Sequence, residues 1–248
     1  MSVLEQLGKC TEASITQLAQ VTDLHKSTIH RLLVTLEATG MVRQNPQNGH
    51  YRLGFKMMEL GAAALRSVEL RTTAHPHMEE LSRTMGLTVN LGVLDHGEVV
   101  YVDKIEGAGT FRFLCHMGSR APFHCTAMGK VMTADLTPAE QRRLVFARPL
   151  KRFTRKTITD PEKMLTHLRQ VAEQGWAMDD GEHNDLGHCV GAPVRDHSGR
   201  VVGAISMTTV CAELAPLERD RLLTYLLRTA AAISSDLGHE PKTATSVL

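Results

Sequence analysis

The side chains whose types and spacing could do chemistry fall in two stretches of the 248-residue chain. In the C-terminal two-thirds, Cys125-Thr126-Ala127-Met128-Gly129-Lys130 reads as a helix capped by Thr126. The free amides and dipole of a helix start make an anion site at Ala127 and Met128, and a capped helix with nothing bound is the alternative. Asp179 follows a predicted helix and could accept from a ligand hydroxyl, although exposed turn acids are commoner. Cys189 opens an apolar strand, where it could touch a ligand or act as a nucleophile. No activating base lies near it in sequence, and free Cys is more often a small buried hydrophobe. Ser206 and Thr208, two apart on a strand, share one face, which suits either a polar pocket or the solvent side of a sheet. In the N-terminal part, residues 24–36 hold Lys26 and Arg31 with His25 and His30, several Ser and Thr, and no acid.

The elements that position the N-terminal group are a short helix beginning at Thr16, an interruption at Thr22-Asp23-Leu24, and a second helix. In that helix Ile29, Leu32, Leu33 and Leu36 fall at i, i+3, i+4 and i+7, one apolar stripe facing a core. Ser27 and Arg31 then point nearly opposite, flanked by Thr28, His30, Val34 and Thr35. Gly40 ends the helix, and strand-like runs carrying Arg43 and Arg52 flank Asn48-Gly49, a turn dipeptide. A helix-turn-helix followed by a hairpin is a winged helix. Its second helix fits the DNA major groove, with Lys26, Ser27, Thr28, His30, Arg31 and Thr35 on the exposed side and Arg43 or Arg52 toward the adjacent backbone. A small helical subdomain with a solvated polar face would show the same spacing.

Residues 55–68 are rich in helix formers and read as a connector. Beyond them, helices are expected at 72–85, 126–135, 138–146, 160–174 and 216–237, and strands at 87–93, 98–105, 111–114, 189–195 and 201–209. Hairpin-connected strands with helices grouped around them indicate an α+β domain with a mainly antiparallel sheet.

Composition narrows the function classes. Apolar residues make up 42% and charged residues 22%, the balance of an ordinary globular protein, and the formal charge is +1. Residues 1–53 hold Lys9, Lys26, Arg31, Arg43 and Arg52 against Glu5, Glu12, Asp23 and Glu37, so the DNA reading rests on where the charges lie rather than on their sum. No apolar run approaches the roughly 18 residues of a spanning helix, and no signal peptide is evident, so no membrane association and a cytoplasmic location are expected. The 5 cysteines form no C-x-x-C pair and read as reduced thiols. The 13 histidines make no metal-ligand spacing, glycine-rich phosphate loops are absent, and no metal or cofactor is expected.

With Ile15-Thr16-Gln17-Leu18-Ala19, His25-Lys26-Ser27-Thr28-Ile29-His30-Arg31-Leu32-Leu33, Tyr51-Arg52-Leu53-Gly54, Cys125-Thr126-Ala127-Met128-Gly129-Lys130 and Cys189-Val190-Gly191-Ala192-Pro193-Val194 in this order, the chain resembles the IclR family of bacterial transcription regulators over nearly its whole length. The resemblance implies a winged helix-turn-helix DNA-binding domain over 1–54, a linker helix over 55–70, a GAF-like effector-binding domain over 71–240 and a tail over 241–248. It implies operator DNA as partner and assembly as a dimer or dimer of dimers. It also implies a small organic acid, a keto acid or sugar acid of a catabolic pathway, held by the Ala127 and Met128 amides with Asp179, Cys189, Ser206 and Thr208 around it. The family's first helix begins further upstream, and Met1-Ser2-Val3-Leu4-Glu5-Gln6-Leu7 supplies only its end. The competing reading is a small-molecule enzyme using Cys189 or Cys125.

Overall fold

A computed structural model describes residues 3–66, 69–108, 115–209 and 216–240, with side chains at all but 62–66 and 216–218. The chain divides into two compact units, Met1–Val68 and Glu69–Leu248. The strand expected at 111–114 and the tail at 241–248 lie outside the described residues.

The first unit runs α1 (Val3–Lys9), α2 (Ile15–Thr22), α3 (Lys26–Ala38), β1 (Val42–Gln44), β2 (Tyr51–Leu53) and α4 (Phe55–Arg66). The cap of α2 is Ser14 rather than Thr16: its hydroxyl accepts from the Gln17 amide while the Gln17 side chain accepts from the Ser14 amide. Asp23, at φ 56°, turns the chain into α3. The core gathers Val3, Leu7, Leu18, Ile29, Leu33, Val42 and Tyr51. Leu32, expected on the core stripe, is instead 42% exposed. Burial centres on Ile29 and Leu33, and Leu32 lies roughly 80° around the helix from their mean direction. The hairpin pairs Arg43 with Arg52, and the Glu12 carboxylate ties its turn down by accepting from the Asn45 and Asn48 side-chain amides. Three helices and a two-stranded hairpin make a winged helix.

The second unit is a six-stranded antiparallel sheet with the order β5-β4-β3-β8-β7-β6. Its strands are β3 (Thr88–Asp95), β4 (Glu98–Ile105), β5 (Arg120–Pro122), β6 (Ala177–Asp180), β7 (His188–Arg195) and β8 (Val201–Thr209). The helices are α5 (Glu69–Met85), α6 (Ala127–Ala134), α7 (Pro138–Phe146), α8 (Pro161–Gln174) and α9 (Pro216–Asp236). The alternation of β8 shows the layers. Gly203 lies against Leu70 of α5, and the next residue, Ala204, belongs to the core built by α6, α7 and α8 with Met128, Met132, Val145, Leu165 and Leu168. Helices α5 and α9 therefore cover one face and α6 to α8 the other. The edge strands β5 and β6, of three and four residues, were not expected; they are too short to show an alternation.

Two local features set how this sheet meets the helices that cover it. The first is a bulge in β4, where Leu91 pairs with Asp103 but Gly92 pairs with Tyr101. Val102 is the extra residue, so Tyr101 and Asp103, two apart, face opposite sides of the sheet. The second is the seating of α6. A Cβ on Gly191 of β7 would stand 2.8 Å from the Ala127 carbonyl carbon and 3.0 Å from the Met128 nitrogen, and one on Gly129 would collide with the Phe123 backbone. Both glycines are there so that the helix start can lie directly on the strand.

Gly129→Ala should therefore destabilise the second unit by about 1–3 kcal/mol, because the obstacle is backbone. Gly61→Ala on α4, where a new Cβ meets nothing within 4 Å, should stabilise the first unit by about 0.5–1 kcal/mol. Urea unfolding read by the fluorescence of Trp176 for the first variant, and amide exchange along α4 for the second, checks the opposite signs.

Candidate functional site

In the second unit, a cavity of about 330 Å³ opens between the start of α6 and the polar part of the sheet. Thr126 shapes the helix start: its hydroxyl donates to the Pro122 carbonyl at 2.9 Å and accepts from the Gly129 amide at 3.3 Å. The amides of Ala127 and Met128, the first two of the helix, are left without a partner among the described residues. Below them the strands align their side chains in rows. Asp179, Cys189 and Thr208 are cross-strand neighbours in one row; Gly191, Ser206 and Asn90 form the next. Ala127, Met128, Asp179, Cys189, Ser206 and Thr208, the positions singled out from sequence, all line this one cavity.

Asn90, Tyr101, Cys115, Ser119, Arg120, His183 and Asn184 also line it and were not singled out. Asn90 is the most connected: its Nδ2 donates to Thr208 Oγ1 at 3.3 Å, and its Oδ1 accepts from the Cys115 thiol at 3.4 Å. Thr208 Oγ1 in turn lies 3.4 Å from Cys189 Sγ, so a chain of weak polar contacts crosses the cavity floor. The signal for Asn90 was present as the alternation of β3, whose polar side turns out to face the cavity rather than water.

Asp179 is not an exposed turn acid. It sits in β6, 4% exposed, and its Oδ1 accepts from the Glu182 amide at 2.7 Å and the His183 amide at 3.3 Å. Burial pushes its pKa up to about 7, against the opposing pull of those amides and of Lys130. Burial first, and then the Asp179 charge, push the Cys125 and Cys189 thiols up to about 12. Thiols held protonated at neutral pH, with Cys189 Sγ facing a hydroxyl rather than a base, are not activated nucleophiles.

The rim beside Asp179 is pinned from below. Lys130, fully buried, donates from Nζ to the Met178 carbonyl at 2.8 Å and to the Glu182 carboxylate. The Thr154 hydroxyl donates to the Gly181 carbonyl at 2.8 Å and that of Thr157 to the Glu182 carbonyl at 2.7 Å, while the His183 ring meets Phe153 edge-on at 5.2 Å. His183 and Asn184 are thereby held at the mouth on a fixed loop.

In the first unit, Lys26, Ser27, Thr28, His30, Arg31 and Thr35 are all exposed on α3, and Arg43 and Arg52 are exposed on the hairpin. Position His25 caps α3 with no side-chain hydrogen bond, so the first amides of α3 stay open to an acceptor. The Arg43 guanidinium lies 5.8 Å over the Phe55 ring, which directs it along the start of α4. Among the described residues, no group of three His, Cys, Asp or Glu gathers to hold a metal, and no helix is long and apolar enough to cross a membrane.

Two family models match the chain: the IclR helix-turn-helix domain over residues 1–46 and the bacterial transcriptional regulator IclR C-terminal domain over 62–235. The chain belongs to the IclR family. Among its relatives, the HTH-type transcriptional regulator XynR of Escherichia coli is 38% identical over 93% of this chain and 92% of its own length. The regulator KdgR of the same organism is 35% identical over 96% and 90%. The Thermotoga maritima IclR crystal structure superposes with a TM-score of 0.76 at 28% identity, covering 96% of each chain. An IclR homologue from Microbacterium hydrocarbonoxydans, complexed with 4-hydroxybenzoate, gives 0.81 at 24% identity over 95% of this chain and 97% of its own. XynR and KdgR are transcriptional regulators, and membership of this regulator family, with the thiols held protonated, replaces the reading of the chain as a cysteine enzyme.

Lys130→Met should cost the second unit about 3–5 kcal/mol, because it leaves the Glu182 carboxylate buried without its counter-charge. The double variant Lys130→Met/Glu182→Gln should recover much of the loss in the same urea measurement. For Asp179, a folded-state pKa raised above the unfolded value near 4 means that the neutral form favours the fold. Its contribution is full below pH 4 and declines up to about pH 7, where it is gone. The stability difference between wild type and Asp179→Asn should therefore fall across pH 4–7; a difference that stays flat would contradict the raised pKa.

Proposed function

We propose that this IclR-family regulator binds a near-palindromic operator as an even-numbered oligomer through α3 and the hairpin, and releases or retains it according to a small carboxylate held in the α6 cavity. The carrying observation is that unpartnered helix-start amides and the hydroxyls of Ser206 and Thr208, from two neighbouring rows, open into one cavity. An acid end suits Ala127 and Met128 with Ser206 beside them, since Ser206 is the cross-strand neighbour of Gly191, on which the helix start rests. A polar end suits the next row, where Thr208 and Asp179 stand, roughly 7 Å further along the strands. The walls carry hydroxyl, amide, imidazole, thiol and guanidinium groups beside the Ala121, Ala127 and Met128 side chains, and Tyr101 is the one flat ring of carbon; so few aromatic surfaces favour a keto acid or sugar acid of a catabolic operon over an aromatic acid such as 4-hydroxybenzoate.

Lys26, Ser27, Thr28, His30, Arg31 and Thr35 are assigned to the major groove, and Arg43 and Arg52 to the flanking backbone. One such helix reads only a few base pairs, so paired half-sites supply the remaining affinity.

The test is a gel shift with the DNA upstream of the chain's own coding region, titrated with keto acids and sugar acids. Arg31→Ala should weaken specific binding by about 1–3 kcal/mol, and Lys26→Ala should reduce the salt slope by about 1. Ser206→Ala with Thr208→Val should leave effector-free DNA binding intact and weaken effector binding in calorimetry by about 0.5–1.5 kcal/mol per lost neutral hydrogen bond, up to about 3 for one to the carboxylate. An uncharged ligand that releases the DNA while no acid binds would overturn the carboxylate assignment.

A further inference from the structure

Ser27, Arg31 and Val34 stand at i, i+4 and i+7 of α3, within about 60° of one another around the helix and opposite the buried Ile29 and Leu33. No orientation of α3 presents Ser27 and Arg31 to a surface without presenting Val34 as well. The Val34 side chain is 50% exposed, an apolar group among Ser, Thr, His and Arg, with only the smaller Ala38 methyl apolar one turn further along the same face. Its neighbours leave it clear. Glu37, one turn on, accepts from the Gln44 amide of the hairpin at 3.0 Å, and the Thr35 hydroxyl donates back to the Arg31 carbonyl at 3.0 Å.

A major groove offers an apolar side chain one specific partner at the base edges, the 5-methyl group of thymine. We propose that Val34 is a specificity-determining residue that reads a thymine through this methyl group, an inference that rests on α3 being the recognition helix. Three residues of helix separate Val34 from Arg31, a rise of roughly 4.5 Å, so the thymine lies one to two base pairs from the base pair that Arg31 meets. Each half-site then carries a guanine for the guanidinium and, one or two steps away, a thymine on either strand. Leu32, 42% exposed, lies toward the flank of the face, nearer the core stripe than this line, and takes no part.

The test uses the full-length chain. An operator is selected from random duplexes, and each thymine in it is replaced singly by deoxyuridine, which removes the methyl and changes nothing else. Fluorescence anisotropy should show one thymine per half-site whose replacement weakens wild-type binding about 3–5-fold, as expected for one buried methyl. Val34→Ala, an exposed change to a strong helix former, should bind both duplexes alike, at the wild-type affinity for the deoxyuridine duplex. Leu32→Ala should keep the full sensitivity. The inference is overturned if no thymine shows the effect, if the sensitivity survives in Val34→Ala, or if it disappears in Leu32→Ala instead. Selection that enriches no sequence, or an Arg31→Ala variant that binds the selected operator unchanged, overturns the recognition-helix reading itself; an operator that depends on Arg31 but not on any methyl overturns only the role of Val34.

Discussion

Helix α6 lies so close to β7 that its first peptide groups touch the strand where a side chain would otherwise be, and the cavity is the space left beside that contact. Gly191 and Gly129 make the approach sterically possible. What holds it is polar as well as apolar: Thr126 ties the cap to Pro122, and Lys130, one turn into the helix, reaches under the sheet edge to Met178 and Glu182. A fully buried lysine is expensive in desolvation and adds little net stability over an apolar pair of the same size. Its value lies in geometry. The same ion pair fixes the start of α6 and the loop after β6, so the amides of Ala127 and Met128 and the carboxylate of Asp179 are set relative to one another before any ligand arrives. A cavity built this way spends little ordering entropy on binding.

The bulge at Val102 gives the sheet a second role. Because it turns Tyr101 toward the cavity and Asp103 toward α5, one short piece of β4 has contacts on both faces. Asp103, 2% exposed, accepts from His75 Nδ1 at 2.6 Å and stands 3.6 Å from Arg71 Nε, both in the first two turns of α5. Helix α5 begins just after α4 in the chain. A packed sheet transmits displacement in discrete rearrangements rather than gradually. The contacts on β4 thus supply a physical link between the cavity face and the start of α5.

Much of this was legible in the sequence because it is local. The cap at Thr126 and the helix after it, the pairing of Ser206 with Thr208 on one face, and the polar side of α3 follow from spacings of two to four residues. The features that were not legible are those made by distant partners. Lys130 and Glu182 are 52 residues apart, and nothing near either one marks the other. Asn90 showed its alternation, but alternation says only that the two faces of a strand differ, and here the polar face is enclosed. Asp179 read as a turn acid because β6 has four residues, too few to declare a strand, and its burial depends on β7 and α6 covering it. Leu32 fitted the apolar stripe by spacing yet is exposed, because a small three-helix unit has only enough core to cover the centre of that stripe.

On the proposed reading, the charge balance places control in geometry rather than in raw attraction. At a formal +1 the whole chain exerts no strong field on DNA, and on the proposed reading each copy brings to the phosphates and bases little more than Lys26, Arg31, Arg43, Arg52 and the open amides at the start of α3. A handful of phosphate contacts gives weak, salt-sensitive binding to any duplex. Two such units at fixed spacing act at high effective concentration on a matched pair of half-sites, and that gain vanishes when the spacing no longer fits. An effector therefore has no need to break a protein–DNA contact or to neutralise a charge. On the proposed reading, altering the separation of two recognition helices is sufficient.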